Sequence, residues 1–544
     1  MLSPLQIVRT QYLPIIPDAL QEIQSLSFFP EKINALAQDD AKIQKAFPKT
    51  YGQPLMVAKT GNEKERSAKR VGVVFSGGQA AGGHNVIAGL FDALKLLHQQ
   101  SILLGFLDGP SGIIEGKRIE ITEELLAPYR NQGGFDLIGS GRTKIDTEEQ
   151  LLASLATVQN LKLDGLVIIG GDDSNTNAAV LAEFFLAKGC ATKVIGVPKT
   201  IDGDLKNPYV AISFGFDTAA KIFSEMIGNI GRDAISAKKY YHFIKLMGRS
   251  ASHIALECAL ATQPTYAFIG EEVSAQKKTL EQIARDLADL ICRRSELGKN
   301  YGIILVPEGL IEFIPEVKAL IKELNKILAQ TANVDLNHVI SGLTTSSGSC
   351  FKSLPEAIQK QLLFTRDPHG NVQVSLIETE QLLADAVEKE LQKRQRERTY
   401  KGKFNVLRHF FGYEGRSGLP SNFDCNYCYS LGYAATLLID EGLTGYMASV
   451  QGLHLNASKW KIGGVPLTSL MGFEVRKGRE KAVVSKALVD LEGRAFSHFS
   501  CLREKWAIED QFRSPGPIQF FGSTEITDSI PLSLAIEENI PPFR

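Results

Sequence analysis

Three times between residues 71 and 204 a short apolar run rich in β-branched residues ends in a turn of glycines, acids or both. "VGVVFS" leads through Gly77-Gly78 into the helix-forming "GGHNVIAGLFDALKLLH". "LDGLVIIGG" leads into "SNTNAAVLAEFFLAKG", and "TKVIGVP" leads through a polar loop to "DTAAKIFSEMIGNIG". Near-continuous apolar runs suit strands buried on both faces, and strands alternating with helices build a parallel sheet covered on both sides. The pattern predicts Ser174 or Asn175 as the N-cap of the second helix and Gly189 just past its end.

A second alternating series follows: "YHFIKLMG" (strand), "ASHIALECALAT" (helix), "TYAFIGEE" (strand), "TLEQIARDLADLICRRSELG" (helix) and "YGIILVPEG" (strand). At 544 residues the chain exceeds one ordinary core. The expected organisation is α/β, with two parallel-sheet α/β domains. Residues 1–66 form an N-terminal extension. Residues 67–215 with about 405–470 form the larger domain, and residues 216–404 form the second, carrying a helical insertion at about 311–400. Residues 471–544 pack on the core. Within the insertion, "IETEQLLADAVEKELQKRQRERTYKGK" reads as a charged surface or interface-covering helix.

Composition narrows the function classes. A net charge of −1 gives no reason to expect nucleic acid or an anionic membrane as partner. No apolar run reaches the roughly 18 residues of a membrane span, and the N-terminus lacks a signal pattern. Seven cysteines, sparse and odd in number, read as reduced thiols of a cytoplasmic protein. Cys425 and Cys428 have C-x-x-C spacing, but no second pair follows and the surrounding run reads as a packed helix. The nine histidines show no ligand spacing, so a protein-held zinc is not expected.

In open α/β sheets, ligands bind beyond the carboxyl ends of the strands, where the three turns lie. Glycines of the first, Ser76-Gly77-Gly78, let an anion approach the backbone, although a ligand-free tight turn explains them equally. The second, Gly170-Gly171-Asp172-Asp173-Ser174, holds two adjacent acids where a helix start needs one. Their repulsion, about 4 kcal/mol at about 4 Å in an effective dielectric near 20, calls for a cation nearby. Oxygen ligands at a phosphate site favour Mg²⁺. The third, Pro198-Lys199-Thr200-Ile201-Asp202-Gly203-Asp204, is compatible with turn chemistry alone. Beside the second, it offers the cation and the proton-accepting carboxylate that phosphoryl transfer requires.

These stretches, with Met247-Gly248-Arg249, Pro307-Glu308-Gly309 and Gly412-Tyr413-Glu414-Gly415-Arg416, occur in the order seen in phosphofructokinases. The chain resembles the diphosphate-dependent long subfamily over about residues 70–450, including "LPSNFDCNYCYSLGY". The resemblance implies a phosphofructokinase-like fold. It implies a Mg²⁺-dependent, reversible transfer of phosphate from diphosphate to carbon 1 of fructose 6-phosphate, with diphosphate and Mg²⁺ on the larger domain and the sugar phosphate on the second. Asp202 then resembles the general base and Asp172 the Mg²⁺ ligand, with Asp204 beside them. Gly78 matches the glycine whose backbone faces the diphosphate, and Arg142 matches a catalytic arginine on the phosphoryl path. Thr200, Ile201, Met247, Gly248, Arg249, Glu308, Tyr413 and Arg416 match the sugar-phosphate side. Lys239 and Tyr240 sit where the family, expected as a homodimer, reaches into a neighbouring subunit's site, although short members usually carry an arginine near "KKYYHF".

The resemblance also explains the second aspartate. ATP-using relatives typically have glycine at the positions of Asp173 and Lys199. Asp173 adds volume and negative charge where an α-phosphate would lie, and Lys199 compensates the shorter donor. An ATP-dependent phosphofructokinase is disfavoured by these two residues. A non-catalytic regulatory subunit is disfavoured by the presence of Asp172, Asp202 and Arg249. A diacylglycerol- or NAD-kinase relative would lack Arg249, Glu308 and Arg416.

Overall fold

The three apolar runs become neighbouring parallel strands, Arg70–Ser76, Gly165–Gly170 and Lys193–Pro198, in the computed structural model of the chain. That structure describes residues 2–33, 40–328, 336–366, 372–476 and 479–541. Their register sets Ser76 opposite Gly170 and Gly170 opposite Pro198, so the three turns that follow leave the sheet side by side. Val71, Val73, Val74, Phe75, Leu166, Val167, Ile169, Val194 and Val197 are completely buried, as strands covered on both faces require.

The chain divides into two compact units. The first comprises residues up to Ala219, Glu414–Ala487 and Ile518–Ile530. It holds a nine-stranded sheet in the order Leu26–Glu31, Leu55–Thr60, Lys461–Pro466, Tyr446–Gln451, Lys193–Pro198, Gly165–Gly170, Arg70–Ser76, Ile102–Phe106 and Arg118–Ile121. The five strands from Tyr446–Gln451 to Ile102–Phe106 are parallel, and the outer ones pair antiparallel. The N-terminal extension therefore supplies the last two strands at one end of the sheet, with Pro30 on the edge strand, where a missing N–H is tolerated. Arg9 is fully buried and donates to Asn422 Oδ1 (2.9 Å), Pro420 O (3.2 Å) and Cys425 Sγ (3.1 Å), which ties the extension to the helix Asn422–Asp440. Cys425 and Cys428 are both buried in that helix, and burial pushes the Cys425 thiol up to about 12. The same helix packs on Gly83–Leu97 through small residues. A Cβ on Gly89 would run into Tyr429 O, and one on Gly432 would meet Val86 O at 2.5 Å.

The second unit comprises Ala220–Tyr413, Leu488–Pro517 and the residues from Pro531. Its sheet has the order Val406–Phe411, Tyr241–Leu246, Gly302–Pro307, Tyr266–Ala267, all parallel. Residues 405–413 thus belong to this unit rather than to the larger domain, because Val406–Phe411 hydrogen-bonds along Tyr241–Leu246. The expected strand "TYAFIGEE" shrinks to Tyr266–Ala267, since the helix Gly270–Ala275 starts at once, its Gly270 backbone packed against the Phe313 ring.

Of the 311–400 stretch, residues 329–335 and 367–371 lie outside the described residues. The remainder includes the helices Pro315–Leu328, Leu336–Gly342, Thr345–Ser353, Glu356–Phe364 and Thr379–Arg396. Leu320, Leu324, Phe351, Leu362, Leu383, Val387 and Leu391 bury with Phe243, Ile304 and Val306 in one core. Each such side chain stabilises by about 1.5–3 kcal/mol, so the insertion completes the core of this unit. The 471–544 segment is divided between the units: its hairpin Met471–Arg476 and Arg479–Val484 lies in the first and its helices Arg494–Glu509 and Leu532–Glu537 in the second. Residues 477–478 and 542–544 of that segment, and 1 and 34–39 of the extension, lie outside the described residues.

Candidate active site

The helix after the second strand begins earlier than its sequence suggests. It spans Asp172–Ala187 with Gly171 as N-cap, so neither Ser174 nor Asn175 caps it. Both side chains have buried partners instead: Ser174 Oγ bonds Ser76 Oγ (2.8 Å), and Asn175 Nδ2 donates to Gly170 O (2.7 Å) and Gly171 O (2.9 Å). Gly189 lies past the helix end with φ 67°. The shift places both aspartates in the first helical turn, where the macrodipole stabilises a carboxylate. Each has its own cation. Asp172 Oδ2 is 3.3 Å from Lys486 Nζ, and Asp173 Oδ1 is 3.1 Å from Lys144 Nζ.

The first turn is open-backboned where an anion would approach. Gly77 has φ 89°, and its N–H donates to Gly141 O (2.8 Å), so the Gly141-Arg142 segment runs along it with Arg142 exposed. A Cβ on Gly78 would run into Arg416 Nη1. Lys199 is 5% exposed, and its Nζ lies 3.4 Å from where a Gly77 Cβ would stand. Burial, and then the Arg416 guanidinium beside it, lower its pKa to about 8, against the opposing charges of Asp202, Asp172 and Asp204. Asp204 is buried, and burial followed by repulsion from Asp202 raises its carboxyl well above the usual range; Lys486 acts in the opposite direction. Asp202 is half-buried, its N–H donating to Thr200 Oγ1 (3.1 Å), and Ile201 is buried under the loop. The structure thus brings together Gly78, Asp172, Lys199, Asp202, Asp204 and Arg416, with Thr200 and Ile201 in the loop and Asp173 on the same helical turn.

The second unit gathers its own set at the carboxyl ends of its strands. Gly248, at φ 135°, donates its N–H to Glu308 Oε2 (2.9 Å), and Glu308 is 3% exposed. A Cβ on Gly309 would run into Arg249 O, so the Met247–Arg249 and Glu308–Gly309 turns interlock, leaving the Arg249 side chain exposed. Met247 N donates to Phe411 O (2.9 Å), which brings up the strand leading to the exposed Tyr413. Lys239 and Tyr240 are not part of this set. They precede Tyr241–Leu246 at its amino end, about 20 Å from the carboxyl end at roughly 3.3 Å per residue.

Oxygen-only donors beside a phosphate-sized turn suit a Mg²⁺ ion that shares its shell with phosphates. Among the described residues no three His, Cys, Asp or Glu side chains converge as a protein-only metal cage, and Mg²⁺ at a phosphate site needs only one or two carboxylates. The residues present fit the ion.

The Phosphofructokinase family profile matches residues 70–352. The chain is 51% identical, over 99% of its length and 98% of the relative's, to the pyrophosphate–fructose 6-phosphate 1-phosphotransferase of Treponema pallidum. The chain belongs to the phosphofructokinase family. Another relative so named, from Porphyromonas gingivalis, is 50% identical over 99% of both chains. In fold, this phosphofructokinase matches the crystal structure of a pyrophosphate-dependent phosphofructokinase from Nitrosospira multiformis. The TM-score is 0.55 at 16% identity, covering 85% of this chain and 96% of that one. Sequence reasoning missed the two cations paired with the acidic helix start, Lys144 and Lys486. Lys144 stands two residues from Arg142 and was within reach of the local pattern. Lys486 lies more than 300 residues from Asp172, and nothing local distinguishes it.

Proposed function

We propose that the chain transfers a phosphoryl group reversibly from diphosphate to the 1-hydroxyl of fructose 6-phosphate, giving fructose 1,6-bisphosphate and phosphate. The observation that carries this reading is Lys199, a buried ammonium set among three carboxylates at the Gly77-Gly78 turn, with Asp173 on the same helical turn as Asp172. The printed names of relatives about 50% identical over the full length support the same reaction.

In this reading Gly78, Arg142 and Lys199 bind diphosphate. Asp202 accepts the proton of the sugar 1-hydroxyl as its oxygen bonds to phosphorus and the bridging P–O bond breaks, releasing phosphate. Thr200, Met247, Gly248, Arg249, Glu308, Tyr413 and Arg416 hold the sugar phosphate, the arginine forks matching its 6-phosphate. Asp172 would hold Mg²⁺, which when bound neutralises charge on the phosphoryl oxygens. Asp173 excludes a nucleotide by occupying, with a negative charge, the space of an α-phosphate. We assign the functional form to a cytoplasmic homodimer. There Lys239 and Tyr240 serve the partner's sugar-phosphate site, a role suited to residues far from their own chain's Arg249. Seven free thiols fit a reducing compartment, and among the described residues no helix is long and apolar enough to cross a membrane.

A coupled assay with fructose 6-phosphate and Mg²⁺ tests the reading. Turnover with diphosphate and little with ATP is expected; turnover with ATP alone would overturn it.

A further inference from the structure

The C-terminal hairpin runs into a stretch that is tied to the rest of the first unit through three backbone N–H groups. Val484 N donates to Thr176 Oγ1 (2.8 Å), Ser485 N to Leu470 O (2.9 Å) and Ala487 N to Asp204 O (2.8 Å). Thr176 is one turn along the helix from Asp172, and Asp204 is in the loop of Asp202. Between these anchors Lys486 places its ammonium 3.3 Å from Asp172 Oδ2, the two side chains 22% and 18% exposed. The backbone is thus held against both acidic turns, and the flexible lysine stem brings its positive charge up to Asp172, where the Asp204 carboxyl also feels it.

From this we infer that Lys486 is the resident counter-ion of Asp172: it neutralises that carboxylate before the metal arrives, and Mg²⁺ must displace it to bind. The inference rests on the reading of Asp172 as the Mg²⁺ ligand. A lysine ammonium and a divalent cation at one carboxylate repel each other, so the pair observed here and a metal–Asp172 contact compete. The hairpin then acts as part of the active site, setting how much free Mg²⁺ the enzyme requires.

The test is a titration of the full-length protein with Mn²⁺ as probe, without diphosphate and at fixed ionic strength, following free Mn²⁺ by electron paramagnetic resonance. Lys486→Met and Lys486→Gln are each expected to bind Mn²⁺ about fivefold more tightly than the parent, the scale of one partly exposed ion pair. Lys486→Arg, which keeps the charge, is expected within about twofold of the parent. Either neutral variant binding with unchanged or weaker affinity would overturn the inference. An Asp172→Asn protein is expected to lose the site. Retained affinity there would overturn the metal assignment itself, a failure distinguishable from that of the Lys486 inference.

Discussion

Asp172 and Asp173 share a helical turn and a charge, yet the structure gives them different neighbours: Lys486 for one, Lys144 for the other. That separation suits two tasks, metal binding and donor exclusion. Replacing Asp173 and Lys199 together with glycine is expected to lower the ratio of kcat/KM for diphosphate to that for ATP by about 100-fold or more, the scale of one close charge removed. Steady-state kinetics with both donors would show it, and an unchanged ratio would contradict the role of Asp173. A second residue-scale expectation concerns His242, which is 4% exposed, with its Nδ1 3.0 Å from His409 Nε2. Burial, and then the neighbouring His409, lower its pKa to about 4. A histidine whose folded pKa lies below its unfolded value of about 6.5 contributes stability above that pH, and the contribution is lost as pH falls towards 4. The stability of the parent, followed by thermal unfolding, should fall as pH drops from about 6.5 to about 4.5, by up to about 1.4 kcal/mol per pH unit from this group. His242→Phe should flatten that slope.

At the scale of elements, the site was legible wherever local chemistry fixes position. Apolar runs ending in Gly170-Gly171 and Pro198-Lys199 could only be buried strands, and their register sets the turns abreast. The helix start at Asp172 was misread because Ser174 and Asn175 have the chemistry of caps, and buried partners in neighbouring strands outcompeted that role. The docking of Leu55–Thr60 on Lys461–Pro466, and the pairing of Val406–Phe411 with Tyr241–Leu246, depend on partners far along the chain. No window of sequence contains them. The helix pair Gly83–Leu97 and Asn422–Asp440 likewise depends on two distant glycines that let the backbones touch. Gly89→Ala should cost about 1–3 kcal/mol, the usual penalty of overpacking, because a methyl group there meets the main chain at Tyr429. Chemical denaturation would measure the loss, and wild-type stability would contradict the contact.

For the whole molecule, the proposed homodimer makes a sharp expectation. If Lys239 serves the partner's site, Lys239→Ala and Arg249→Ala should each lose activity, and a mixture of the two, unfolded and refolded together, should regain part of it. One site of each hybrid would then be intact. No recovery would contradict the shared site. The most direct test of the central claim runs the reaction backwards. The purified protein is given fructose 1,6-bisphosphate, phosphate and Mg²⁺ with no nucleotide present, and ³¹P NMR follows the products. The account predicts a growing diphosphate resonance matched by fructose 6-phosphate. An unchanged spectrum, from protein that does phosphorylate fructose 6-phosphate with ATP, would contradict it.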